Sequence, residues 1–170
     1  MRRSSLLVIA LVALAHAAIY IAYQRPDWSS TSAWTDQAGY DRLGTGLATT
    51  GQFTRFPDSP VFVPEVIRTP GYPAFVAAIY LVFGTGNHMA VAVAQAFVFA
   101  AICCLVAILA RRAAGDRAAI AAGVLAALYA PMPYFGALVL TELWTAFVAV
   151  AAMVVCVAAA HNGRTRDFFL

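Results

Sequence analysis

Residues 89–110 read MAVAVAQAFVFAAICCLVAILA, and Arg111 and Arg112 follow directly. No Asp, Glu, Lys or Arg interrupts the run. Its apolar residues form a block rather than recurring at the spacing of a half-buried helix. Roughly 20 such residues in a helix cross the ~30 Å hydrocarbon layer of a bilayer. The same pattern recurs on either side, at residues 6–23, 118–134 and 138–160. Of the 170 residues 62% are hydrophobic and 11% charged, against about 25% charged in soluble domains. Too few polar side chains remain to cover a globular surface. The sequence therefore predicts an all-α integral membrane protein, a single module with four transmembrane helices. A large first loop, residues 24–88, carries further helices at the membrane interface.

The first block follows Arg2 and Arg3, a start that also suits a secretory signal. The apolar run continues through Ile19 to Tyr23 and covers about 27 Å as a helix, which favours an uncleaved anchor. All eleven basic residues are Arg. They cluster at the ends of apolar blocks, which is a topology signal and not a nucleic-acid footprint. With four spans drawn, Arg2 and Arg3, then Arg111, Arg112 and Arg117 around a short loop at 113–117, then Arg164 and Arg166, share one side. That side is cytoplasmic and holds both termini; the 24–88 loop is extracytoplasmic. Cys103, Cys104 and Cys156 lie inside apolar blocks, so no disulfide framework or metal-ligand spacing is implied.

The loop contains Asp27, Asp36, Asp41, Asp58 and Glu65. A helix is expected from about Thr35 to Thr50, with Thr35 or Asp36 as cap and Gly51 as stop. Its glycines, at 39, 44 and 46, make it weak on propensity. Tyr40, Leu43 and Leu47 share a face that should rest on the membrane or the bundle. A second, 13-residue helix from Tyr72 is too short to span; Tyr72, Phe75, Tyr80 and Phe83 read as interfacial anchors.

Lipid offers polar side chains no partners, so those near its faces are informative. Asp36 could take a proton from a hydroxyl nucleophile or help hold a divalent cation, or could simply cap its helix. Arg68, with Arg55 in the same loop, could hold a phosphate, or could contact headgroups or a loop carboxylate. Glu142, about one turn inside the outer end of the fourth span, suggests a wet cavity. His16, His88 and Gln95 are weaker candidates, more readily packed residues than ligands.

Asp36 followed by Tyr40 and Leu43, then Thr50-Gly51 and Phe53, then Pro64, Arg68, Pro70-Gly71-Tyr72-Pro73 and Phe75, then Phe83-Gly84, resembles the amino-terminal part of the polytopic family 39 glycosyltransferases. These are bacterial relatives of the protein O-mannosyltransferases and of the lipid A aminoarabinose transferase, with a GT-C fold. Thr141-Glu142 resembles a pair in that family's fourth span. The resemblance implies a multi-pass protein of the bacterial cytoplasmic membrane. It implies transfer of a sugar from a polyprenyl-phosphate donor to a lipid, glycan or protein acceptor on the outer face. Asp36 would then be the catalytic base or the acceptor-orienting group. Arg68 would stabilise the departing phosphate, while Tyr40, Tyr72, Glu142 and Arg55 would shape the substrate site. No nucleic acid partner and no metal ligand set are expected. Such enzymes have many more spans, so the chain is expected to be a truncated form of the family. The competing expectation is a non-enzymatic four-helix scaffold or subunit in lipid-linked sugar handling.

Overall fold

The computed structural model describes residues 3–25 and 35–162, the last two by backbone alone. Arg2, Asp27, Arg164 and Arg166 lie outside the described residues. Six helices make up the regular structure of the described chain: α1 (Arg3–Gln24), α2 (Asp36–Thr50), α3 (Gly71–Phe83), α4 (His88–Ala127), α5 (Pro131–Gly136) and α6 (Glu142–Asn162). The protein is all-α and membrane-type. Three of its helices, α1, α4 and α6, are long and apolar enough to cross a bilayer.

α4 is 40 residues long, which would make a straight rod of about 60 Å, twice the hydrocarbon thickness. It is not straight. Gly115 has φ 83° and ψ −170°, a combination essentially confined to glycine. A Cβ built on Gly123 would lie 3.0 Å from Ala107 Cβ and 2.6 Å from an Ile9 methyl. Ala107 and Gly123 sit at equal sequence distances on either side of Gly115. The helix therefore folds back on itself there, and α1 packs into the seam. The expected loop at 113–117 is reduced to a single non-helical residue.

The helices expected over 118–134 and 138–160 have different bounds in the structure. The second limb of α4 ends at Ala127, α5 is a separate short helix, and α6 starts only at Glu142. From Gly115 to Ala127 the limb rises about 18 Å, short of the hydrocarbon layer. Pro131 and Pro133 explain the break: proline has no N–H for the preceding turn but suits the first turn of a new helix. The last carbonyls of α4 would be orphaned in lipid. Ala127 O is met by His16 Nδ1 at 2.8 Å, so the lone histidine of α1 secures a helix end.

The core between α1, α4 and α6 is built largely from small residues: Ala13, Ala17, Ala96, Ala100, Cys103 and Ala107, with Ile9, Phe99 and Leu143 between them. In lipid no hydrophobic force draws helices together, and close van der Waals contact between small residues takes its place. A second cluster joins α3 to the start of α4 through Tyr72, Val76, Ile79, Tyr80 and Val91, with Val139 from the α5–α6 link. Thr35 is the α2 cap, accepting from Ala38 N at 3.3 Å, and Gly51 closes the helix in the left-handed conformation. The α2 glycines, unfavourable by propensity, let it approach its neighbours. At Gly44 any Cβ would fall 2.5 Å from a Val76 methyl of α3.

Tyr72 and Tyr80 are buried rather than interfacial, a correction to their reading as anchors. Their hydroxyls have found partners inside the protein. Tyr72 OH donates to Gln95 Oε1 at 3.1 Å, and Tyr80 OH donates to Asp41. Gln95 itself is 1% exposed. Its Nε2 donates to the carbonyls of Gly136 at 2.9 Å and Leu138 at 2.7 Å. One side-chain amide thus joins α3, α4 and the end of α5. Replacing it with Leu strands two carbonyls and a hydroxyl. Gln95→Leu is expected to cost about 2 kcal/mol or more in reversible unfolding in mixed micelles. Phe97→Leu, on the exposed side of the same turn, is expected to leave the midpoint nearly unchanged.

Candidate functional site at the loop end of the helices

α2, α3, the 51–70 connection and the first residues of α4 and α6 gather at one end of the molecule. Arg111 and Arg112 stand about 36 Å further along α4, one bilayer core away.

Glu65 organises this end. Its side chain is 0% exposed. Oε1 accepts from Ile67 N at 2.8 Å and Arg68 N at 3.3 Å. Oε2 lies 2.5 Å from Arg55 Nε and 3.9 Å from an Arg68 Nη. Glu65 N also donates to Phe53 O. The segment around residues 53–55 is thereby tied to residues 65–68. Burial alone would raise the Glu65 carboxyl. The backbone N–H groups of Ile67 and Arg68 and the two guanidinium groups outweigh it and hold the carboxyl below its ordinary value.

Arg68, whose side chain is 15% exposed, is fixed from three directions. Glu65 lies behind it. Its Cζ sits 5.2 Å from the centre of the Tyr40 ring, a cation–π distance. It also lies across Gly39 so closely that any Cβ there would be 2.8 Å from Cζ. On its outer side Nη2 donates to Asp36 Oδ1 at 2.6 Å. Since Thr35 supplies the cap, Asp36 is free to make this contact. Its side chain is 74% exposed, and ion pairs with so much solvent access are worth about 0–1 kcal/mol. A strongly positioned cation therefore faces outward with a weakly held counterion.

From Arg68 an aromatic path runs inward. Tyr40 meets Tyr72 edge-on at 5.2 Å, Tyr72 stacks on Phe75, and Phe75 lies 4.9 Å from Trp144 of α6. Burial first, then the charge of Glu142, hold the Tyr72 hydroxyl well above its ordinary value. Tyr72 is thus a permanent donor to Gln95. Glu142 is exposed at the first residue of α6, where the helix dipole favours a carboxylate. It lies at the helix mouth, not one turn inside a span.

Five of the six residues singled out from sequence thus form one connected group. Asp36, Arg68, Tyr40 and Tyr72 are in direct succession, and Arg55 joins through Glu65. Glu142 is linked to them by its field on Tyr72. A cavity of about 510 Å³ opens beside Arg55, lined also by Asp41, Arg42, Thr45, Phe56 and Asp58. Sequence reasoning missed Glu65 as the hub, although an acid three residues before Arg68 in an otherwise apolar stretch was a signal. It also missed the group around Asp41, which accepts from Tyr80 and meets His88 Nε2 at 3.0 Å. No local spacing connects those three residues. Burial raises the Asp41 carboxyl, but the bonds from His88 and Tyr80 and the charges of His88 and Arg42 leave it below its ordinary value. Among the described residues no three His, Cys, Asp or Glu side chains are grouped to hold a metal ion. Asp36 faces the Arg68 guanidinium.

Comparison with protein-family models, with curated proteins and with solved structures finds no match.

The buried Glu65 carboxyl and the half-buried Asp41 carboxyl have folded values below their ordinary ones of 4.5 and 3.8. The stability they contribute is fully present above those ordinary values and is lost as pH falls through the lowered ones. Limited proteolysis of the detergent-solubilised protein should find the 51–70 connection protected at about pH 6 and increasingly cleavable as pH falls below 4.5. Glu65→Gln should already be cleavable at the higher pH. Equal protection across the range would remove Glu65 as the hub.

Proposed function

We propose that the chain is a glycosyltransferase module that moves a sugar from a polyprenyl phosphate to an acceptor hydroxyl at the loop end of its helices. The observation that carries this reading is the pairing of Asp36 with Arg68. A base and an anion-binding group, 32 residues apart in sequence, share one exposed spot above an apolar bundle. The family resemblance of the Pro64 to Phe75 stretch supports the same conclusion.

The donor phosphate competes with Asp36 for Arg68. The exchange is inexpensive, because the exposed pair is weak while Glu65, Gly39 and Tyr40 keep the guanidinium in place. Displacement frees the Asp36 carboxylate to accept the proton of the incoming hydroxyl as its oxygen bonds to the sugar's anomeric carbon. The bond from that carbon to the phosphate oxygen breaks, and Arg68 stabilises the charge gathering on the leaving polyprenyl phosphate. The donor is already activated, so the reaction needs no nucleotide. The neighbouring cavity, with its carboxylates, arginines and Phe56, has the size and mixed lining that suit a sugar. The acceptor is a lipid, glycan or protein hydroxyl.

The same reading sets the topology. The arginines at the Gly115 end face the cytoplasm of a bacterial cell by the positive-inside rule, and the α2–α3 assembly faces outward. Four crossings result, the third made by the short limb of α4 together with α5.

Asp36→Asn in the protein assembled in its native membrane is expected to lower sugar transfer at least about 10²-fold with normal membrane insertion. Arg68→Ala is expected to weaken use of the lipid-phosphate donor, seen as a raised KM for that donor. Transfer retained by Asp36→Asn would leave the scaffold reading in its place.

A further inference from the structure

The opposite end of the bundle holds a second feature, which the transfer reaction does not use. Arg3 and Leu6 of α1 and Ile108, Arg111 and Arg112 of α4 line a cavity of about 520 Å³. It opens between two helices just where their apolar runs give way to charge. Leu6 is the first residue of the apolar run in α1, and Ile108 stands one turn before the arginine pair. Three arginines from two helices are among the residues that line it. Asp116 Oδ1 accepts from Arg111 Nε at 2.8 Å, which leaves a surplus of positive charge at the cavity. Arg112 Nη1 reaches only a long 3.5 Å contact to Val154 O, and its planar fork keeps donors for a further acceptor.

We infer that this cavity is a binding site for the phosphate of an anionic glycerophospholipid. Three features fix the ligand's chemistry. Arginine forks match the oxygens of a phosphodiester. The surplus charge disfavours a headgroup with its own ammonium. Leu6 and Ile108 supply an apolar floor at the depth where the glycerol and the first acyl carbons lie, which a soluble anion would leave uncovered. Basic pockets between the ends of membrane helices commonly take such headgroups. The site does not depend on the transferase reading, because it lies about one bilayer thickness from Asp36 and Arg68.

The test is native mass spectrometry of the full chain in detergent with dioleoyl phosphatidylglycerol or dioleoyl phosphatidylcholine added at equal concentration. One phosphatidylglycerol per chain should be retained with about tenfold preference, the equivalent of ~1.4 kcal/mol. Arg3→Gln with Arg112→Gln should reduce the preference to about twofold or less, with each residue contributing on the scale of a single basic group near lipid. Arg3→Gln alone, at a helix start where folding is least at risk, should lower it by about threefold. Arg42→Gln, exposed on α2 at the other end, should leave it unchanged. Equal retention of the two lipids would overturn the proposal. So would a preference unaffected by the Arg3 and Arg112 changes, or one reduced as much by Arg42→Gln. Displacement of the bound lipid by millimolar inorganic phosphate would identify a site for the free anion instead.

Discussion

A carboxamide buried where neither water nor lipid can reach it must find all its partners in the protein. Gln95 does so, and the arrangement of the loop end depends on it. Its oxygen takes the Tyr72 hydroxyl and its nitrogen takes two carbonyls from the chain after α5. Apolar contacts in a bilayer are poor at choosing one orientation of a helix over another, since lipid tails compete on nearly equal terms. A fully satisfied amide is directional. It fixes the rotation of α4 relative to α3 and brings the non-helical residues 137–141 to rest against them. From there the aromatic path through Tyr72 and Phe75 sets where α6 begins.

The charged residues fall into two classes with different work. Glu65 and Arg55 hold backbone segments together, and the carboxylate is sealed from solvent. Breaking that set would leave a buried charge without compensation, a penalty of several kcal/mol. Asp36 contributes almost nothing to stability in its contact with Arg68. The combination is what a binding site requires: a rigid cation, and a partner that can leave. Tyr40 and Gly39 belong to the rigid part, because one gives Arg68 a face to lie on and the other gives it room.

The membrane character and the approximate place of α1, α4 and α6 were legible in the apolar blocks, since the length of a block reports directly on bilayer thickness. The ends of α2 were legible too, because Thr35 and Gly51 act within their own turn. What was not legible required knowledge of distant neighbours. Tyr72 and Tyr80 look like interfacial anchors until Gln95 and Asp41 are placed beside them. Glycines 39 and 44 look like defects until Arg68 and Val76 occupy the missing Cβ positions. The helix expected over 118–134 is interrupted, because apolar composition runs on through Leu128 to Tyr134 while the α4 backbone stops at Ala127. Asp36 and Arg68 were selected as residue types from sequence, but their contact came only from the fold.

The single-residue turn at Gly115 bears on how the chain enters the bilayer. Two helical limbs joined so tightly have no slack for one to settle in lipid while the other waits outside. The pair must partition as a preformed hairpin, its backbone hydrogen bonds already made. The charged residues around the bend, Arg111, Arg112, Asp116 and Arg117, travel together at one end of that hairpin. Gly115 is thus a determinant of assembly order as well as of shape.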